Sequence, residues 1–153
     1  MDCRFCGAKL QYTLVDLGMS PLCESYVSPE NANRMEAFYP LHVYICDTCF
    51  LAQLEQFVSA EAIFSEYAYF SSYSDSWLEH AKRYTEMIVQ RLDLGRSSMI
   101  MELASNDGYL LQYFVERGIR VIGVEPAANI AAVAEKNGVP TVVRFFGRQT
   151  ARE

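Results

Sequence analysis

The stretch Met99–Pro126, MIMELASNDGYLLQYFVERGIRVIGVEP, constrains the fold more than any other part of the chain. It reads as strand, turn, helix, strand, with an acidic residue closing each strand. Glu102 closes the first strand, and Glu125 closes the second, 23 residues later. Between them the small-residue turn Ala104-Ser105-Asn106-Asp107-Gly108 opens the helix. This is the layout of a nucleoside-binding βαβ unit. Its turn lets a ligand approach the backbone and the helix N-terminus, and its second acid accepts hydrogen bonds from ribose hydroxyls.

The alternation continues on both sides. Strands are expected at Ser98–Leu103, Arg120–Val124 and Thr141–Phe145, and helices at Gly108–Arg117 and Ala127–Lys136, with Gly118 and Gly138 marking the helix ends. Alternating strands and helices imply a parallel sheet with right-handed crossovers. Three strands form only the first βαβαβ half of a doubly wound sheet, which carries about five or more. Upstream, Ser76 and Glu79 match a capping box, and Trp77, Ala81, Tyr84, Ile88 and Leu92 recur at helical spacing as far as a C-terminal cap at Gly95. Ser59–Ser65 suggests a short helix, and the tyrosine-rich segment Tyr67–Ser74 a loop. The expected organisation is a cysteine-pinned lobe at 1–58, a linker and helix carrying the tyrosine-rich loop at 59–95, and a truncated nucleotide-binding domain at 96–153. Charge supports the second boundary: residues 1–95 carry net −7 and residues 96–153 net +1.

The N-terminal lobe holds two CxxC pairs, Cys3-Arg4-Phe5-Cys6-Gly7 and Cys46-Asp47-Thr48-Cys49. Each pair sets two thiolates on one edge of a tetrahedron, and two pairs complete a structural zinc site. The glycine after the first pair frees a tight turn. Four cysteine ligands leave no position for a catalytic water, so the metal should hold the fold. The 39 residues between Cys6 and Cys46 must fold back as a lobe, with short strands at Gln11–Asp16 and Tyr39–Ile45. Cys23 is left over as a packing residue, and His42 is read as packing too.

Hydrophobic residues make up 51% and charged residues 21%, a globular composition. Net charge of −6 argues against binding through the nucleic-acid backbone. No apolar run approaches the ~20 residues of a bilayer span, and Met1-Asp2-Cys3-Arg4 lacks signal-peptide character. A cytoplasmic location is expected, where cysteines serve as metal ligands more often than as disulfides.

In the turn, Gly108 alone keeps a glycine of the three-glycine fingerprint; Ala104 and Asn106 stand at the other two places. Nothing matches the lysine-bearing phosphate loop. With Asp107 in the turn and no basic residue facing a pyrophosphate, a cationic or zwitterionic nucleoside fits better than a dinucleotide. S-adenosylmethionine is such a ligand.

Six stretches in order, CRFCG (3–7), DLGMSPL (16–22), CDTCFLAQL (46–54), YAYFSSYSDSW (67–77), ELASNDGYLLQ (102–112) and GVEPAAN (123–129), resemble the zinc-binding C-methyltransferase family that acts on deoxysugar nucleotides. The resemblance implies an α/β protein: a small β-rich zinc-binding lobe, then a class I, Rossmann-like S-adenosylmethionine-dependent methyltransferase core. It implies zinc held by Cys3, Cys6, Cys46 and Cys49, and S-adenosylmethionine held by Glu102, Ala104, Asn106, Asp107, Gly108, Glu125, Pro126 and Asn129. It implies a small-molecule substrate, a 4-keto deoxysugar on a nucleoside diphosphate, with no nucleic acid or membrane partner. A base would take a proton beside the keto group, and the enolate would attack the sulfonium methyl. Tyr67, Tyr69 and Tyr73 match the family's tyrosine-rich segment and are the catalytic candidates; His80 lies mid-helix. Family members run well past Glu153, so the expectation is an N-terminal fragment inactive alone. The alternative is a zinc-lobe interaction module with a partial nucleotide-binding fold, open to self-association through an exposed sheet edge. A nucleic-acid-binding ribbon is disfavoured by the acidic N-terminal half and needs no Glu125.

Overall fold

Alternating aromatic and β-branched residues build an antiparallel sheet near the N-terminus. Its strands β1 (Tyr12–Ser20), β2 (Tyr39–Ile45) and β3 (Ala52–Leu54) lie in the order β1-β2-β3. Tyr12 faces Ile45 and Ser20 faces Tyr39, with irregular register between Asp16 and Met19. There Gly18 takes a left-handed φ of +79°, and its amide donates to Asp16 Oδ1 at 2.9 Å. The first strand runs four residues beyond its expected end because this irregularity lets the ladder resume at Met19. The three residues of β3 carry too short a pattern to be read from sequence.

The computed structural model describes residues 1–153 and divides into two units, Met1–Ile63 and Phe64–Glu153. The helix-and-linker segment expected at 59–95 is shared between them. A short helix, α1 (Ala60–Phe64), lies at the division. In the first unit only Cys3, Cys46 and Gln53 are fully buried.

The second unit opens with a turn of 3-10 helix at Ser71–Tyr73 and then α2 (Asp75–Leu92). Ser74, extended at φ −99° and ψ 114°, caps α2 by accepting from the Trp77 amide. The expected cap, Ser76, already lies inside the helix. At the far end Asp93, at φ 51°, takes the left-handed position expected of Gly95, which a short polar side chain tolerates.

The parallel sheet has β4 (Met99–Leu103), β5 (Arg120–Val124) and β6 (Thr141–Val142) in the order β4-β5-β6. Met99 pairs with Arg120, Leu103 with Val124 and Gly123 with Thr141. The connections carry α3 (Gln112–Val115) and α4 (Ala128–Lys136). Helix α3 is far shorter than the expected Gly108–Arg117. Gly108 sits at φ +80°, outside helical space, and bonds such as Phe114 N to Leu111 O are of the tighter i→i−3 type. Strand β6 stops at Val142, three residues before its expected end, as the chain turns and Arg144 N donates to Val142 O.

The core lies on one face of this sheet: Leu111, Phe114, Ile119, Val121, Ala134 and Val139, flanked by Ile88, Val89, Leu94, Ile100 and Leu110. Two glycines are fixed by close packing. A Cβ at Gly123 would lie 2.4 Å from Ser105 Oγ, and one at Gly108 2.9 Å from a Val139 methyl. Met99, Met101 and Leu103 leave about half their surface exposed. Near Met101, the C-terminal residues Phe146–Glu153 help close an apolar cavity of about 540 Å³ against Ile122, Val124 and Val142.

Candidate functional site

Two matching knuckles build the cysteine centre. In the first, Gly7 N donates to Cys3 O at 2.9 Å and Cys3 N to Ala8 O at 2.8 Å. In the second, Phe50 N donates to Cys46 O at 2.9 Å and Cys46 N to Leu51 O at 3.1 Å. Gly7 and Phe50 occupy the same left-handed position, at φ 75° and 61°. The glycine was expected; the phenylalanine pays a steric strain there that glycine avoids.

The four sulfurs of Cys3, Cys6, Cys46 and Cys49 lie within 4.8 Å of one another. The Cys3–Cys49 and Cys6–Cys46 separations are both 3.6 Å. A tetrahedron with Zn–S near 2.3 Å has edges of about 3.8 Å, whereas a disulfide needs about 2.05 Å. The donor set therefore fits zinc and not a bridge. Charge agrees. Hydrogen bonds to the thiolate, led by the Cys6 amide, bring Cys3 down to about 6. Cys49 is pushed up to about 12: the Leu51 amide favours its thiolate, but burial and three crowded sulfurs outweigh it. Four thiolates cannot share this space without a cation. Behind them Gln53, buried, donates from Nε2 to Cys3 Sγ at 3.3 Å and accepts from Arg4 N at 3.0 Å. Sequence reasoning missed Gln53; its place two residues into β3 after a knuckle is the only signal. Cys23 is exposed and outside the cluster.

The second constellation lies at the C-terminal ends of β4 and β5. Ala104 and Asn106 both take left-handed backbone, at φ 57° and 49°, so the turn folds back on itself. Ala104 N donates to Val124 O at 2.8 Å, tying the turn to β5. Glu125 is buried and accepts from Asn106 N at 3.0 Å and Ala127 N at 2.9 Å. Its carboxylate thus spans both turns and folds the chain around Pro126. Each oxygen retains a lone pair for a further donor.

Glu102 ends inside this region. Burial pushes its carboxyl up to about 7, against the Tyr109 hydroxyl, whose hydrogen bond pulls it down. Glu102 Oε2, Asp107 Oδ1 and Ser105 Oγ are buried without a hydrogen-bond partner. Tyr109 is electrostatically coupled to both Glu102 and Asp107. Tyr109 was not singled out from sequence, although it directly follows Gly108.

The structure also brings the tyrosine-rich segment to these turns. Asn129 Nδ2 donates to Tyr67 O at 2.7 Å, and Tyr67 N donates to Asn129 Oδ1 at 3.2 Å. Asn106 Nδ2 donates to Tyr69 O at 3.2 Å, and Ser71 N to Asn106 Oδ1 at 2.8 Å. The Tyr67 ring packs at 5.5 Å from Phe64, Tyr69 is half-exposed, and Tyr73 is 92% exposed. His80 stacks on Trp77, and His42 stacks on Tyr44 and meets Thr13 Oγ1 at 2.7 Å; neither histidine belongs to the two constellations.

Comparisons with known proteins agree with this layout. Residues 3–64 match the family described as "Putative zinc binding domain". Over 152 residues the chain is 32% identical to the C-methyltransferase NovU of Streptomyces niveus, covering 99% of this chain and 36% of that protein. The chain thus spans about a third of the length of the curated relative it matches. The X-ray structure of YjhP from E. coli aligns with a TM-score of 0.36 at 17% identity, over 51% of this chain and 33% of that one, a likeness too slight to carry an argument. Four thiols at zinc-site spacing fall within the stretch matched to that zinc-binding domain, and almost the whole chain is similar to about a third of a C-methyltransferase.

Proposed function

We propose that this chain carries the structural zinc lobe and the cofactor-binding half of an S-adenosylmethionine-dependent C-methyltransferase acting on a nucleotide-linked 4-keto deoxysugar. The observation that carries the cofactor reading is the pair of partnerless buried acceptors, Glu102 Oε2 and Asp107 Oδ1, beside the Glu125 turn. Buried acceptors without donors are costly, and an α-ammonium group supplies the missing donors and a compensating charge. S-adenosylmethionine fits these residues: Glu125 accepts from the ribose hydroxyls, and the acidic turn faces the cationic amino-acid end. When bound, that cofactor supplies an electrophilic methyl group. Tyr67, Tyr69 and Tyr73 are the candidates to meet the methyl acceptor, and Pro126 borders the adenine.

No helix is long and apolar enough to cross a membrane, and the reduced cysteine centre suits a cytoplasmic setting. Calorimetric titration of the zinc-replete chain with S-adenosylhomocysteine tests the reading. Binding near micromolar affinity, about −8 kcal/mol, is the expected result; heat indistinguishable from dilution would overturn it. A second reading, self-association, is favoured by the half-exposed Met99, Met101 and Leu103 on edge strand β4. Sedimentation velocity across a range of concentrations decides it: a constant monomer rules it out.

A further inference from the structure

The side chains of Asn106, Asp107 and Asn129 are turned toward the tyrosine-rich segment. Six hydrogen bonds join them to residues 67–72. Asn129 exchanges a donor and an acceptor with the backbone of Tyr67, and Asn106 does the same with Tyr69 and Ser71. Asp107 Oδ2 accepts from both the amide (3.1 Å) and the hydroxyl of Ser72. A carboxamide presents C=O and N–H side by side as a peptide does, so each asparagine pairs with the strap as a neighbouring strand would. The strap crosses from the first turn of α4 at Asn129 to the β4–α3 turn at Asn106 and Asp107. The Glu125 carboxylate joins that β4–α3 turn to Ala127, the residue that leads into α4.

We propose that Asn106 and Asn129 are positioning residues that, together with Asp107 Oδ2, fasten the tyrosine-rich strap across the nucleoside-binding edge, and that the two asparagine side chains are not ligands of the cofactor. Resting on the methyltransferase reading, this gives the strap a role: it presents Tyr67, Tyr69 and Tyr73 at a fixed place beside the bound methyl donor. Asn106 takes part on both sides. Its amide reaches Glu125 while its side chain holds the strap, so the strap and the ribose-binding acid share one residue.

The test uses Asn129→Ala and Asn106→Gly. Alanine suits the first turn of α4, and glycine accepts the left-handed backbone of residue 106. Three readouts are taken: amide exchange, fluorine NMR of chain labelled with 3-fluorotyrosine, and S-adenosylhomocysteine affinity. The expected result is at least about tenfold faster exchange at residues 67–73, with protection unchanged in Arg120–Val124 and Phe114, as local opening without global unfolding requires. The strap tyrosine resonances should collapse toward free-tyrosine shifts. Affinity should fall by less than about tenfold, since no cofactor contact is deleted. Unchanged strap exchange, or an affinity loss of about a hundredfold or more with the strap intact, would overturn the proposal. Should Asn106→Gly fail to fold, Ser72→Ala removes the Asp107 hydroxyl bond from the strap side, and the same local loosening is required. Strap exchange is read in the ligand-free chain, so a wild type that binds no cofactor would sink the methyltransferase reading while leaving this comparison intact.

Discussion

The two units reach a fixed structure by different means. The first, Met1–Ile63, fully buries three residues, and two of them are zinc ligands while the third hydrogen-bonds to one. The second, Phe64–Glu153, fully buries nineteen, including an aliphatic and aromatic cluster on one face of the parallel sheet. A unit of that small size cannot bury enough apolar surface to offset its chain entropy; β1 leaves Tyr12, Leu14, Leu17 and Met19 more than half exposed. Its metal centre is its core. The second unit is held by packing, and it places its polar groups where the core ends, at the strand termini.

The sharpest break of this contrast is Cys46→Ser. Structural zinc contributes on the order of 10 kcal/mol to a small domain, so this variant should lose the metal and the fold of residues 1–63 while β4–β6 persist. Zinc analysis with circular dichroism checks it; full metal content would refute the assignment of Cys46. In the second unit Gly123→Ala is the counterpart. Its Cβ would meet Ser105 and Thr141, costing about 1–3 kcal/mol, with zinc content untouched, as a denaturant titration would show.

Glu102 sharpens the comparison through pH. Its carboxyl titrates near 7 in the folded chain because burial disfavours the charge. The folded state therefore holds this proton more tightly than the unfolded state, so stability of the second unit falls as pH rises from about 4.5 to about 7 and is level above. Glu102→Gln should flatten that slope and be more stable at pH 8 by about 1–3 kcal/mol, measured by urea unfolding at several pH values. An unchanged slope would mean another group titrates there. Binding of a cationic ligand should conversely strengthen as pH rises through 7.

Gln53→Leu keeps the volume but removes the donor to Cys3 Sγ. Zinc affinity should fall about 10–100-fold, read by chelator competition. The smallest effect is expected at Phe50, which is 75% exposed in left-handed backbone. Phe50→Gly should relieve strain and stabilise the first unit slightly, by up to about 1 kcal/mol, read as a small rise in its melting point; a clear loss would mean the ring packs in solution.

What could be read from sequence follows the same division. The four cysteines announce themselves because metal geometry demands fixed spacing. Strands β2 and β5 match their expected bounds because continuous apolar or alternating runs end at turn residues. The length of α3 was hidden, because two left-handed residues and Gly108 delay the helix without any breaker in Leu110–Arg117. The cap of α2 was misplaced since Ser74, Asp75 and Ser76 all suit that position, and only the backbone of Ser74 decides. Asn106 and Asn129 read as cofactor neighbours by position. That their side-chain amides pair with the backbone of Tyr67 and Tyr69 is a long-range pairing, across 62 residues for Asn129, which no local pattern carries.

The claim that metal replaces a core in one unit and not in the other is tested most directly by hydrogen exchange of the whole chain before and after chelation. Amides of Tyr39–Ile45 should lose protection when zinc is removed, while those of Arg120–Val124 keep theirs. Full protection of Tyr39–Ile45 in the metal-free chain would contradict the account.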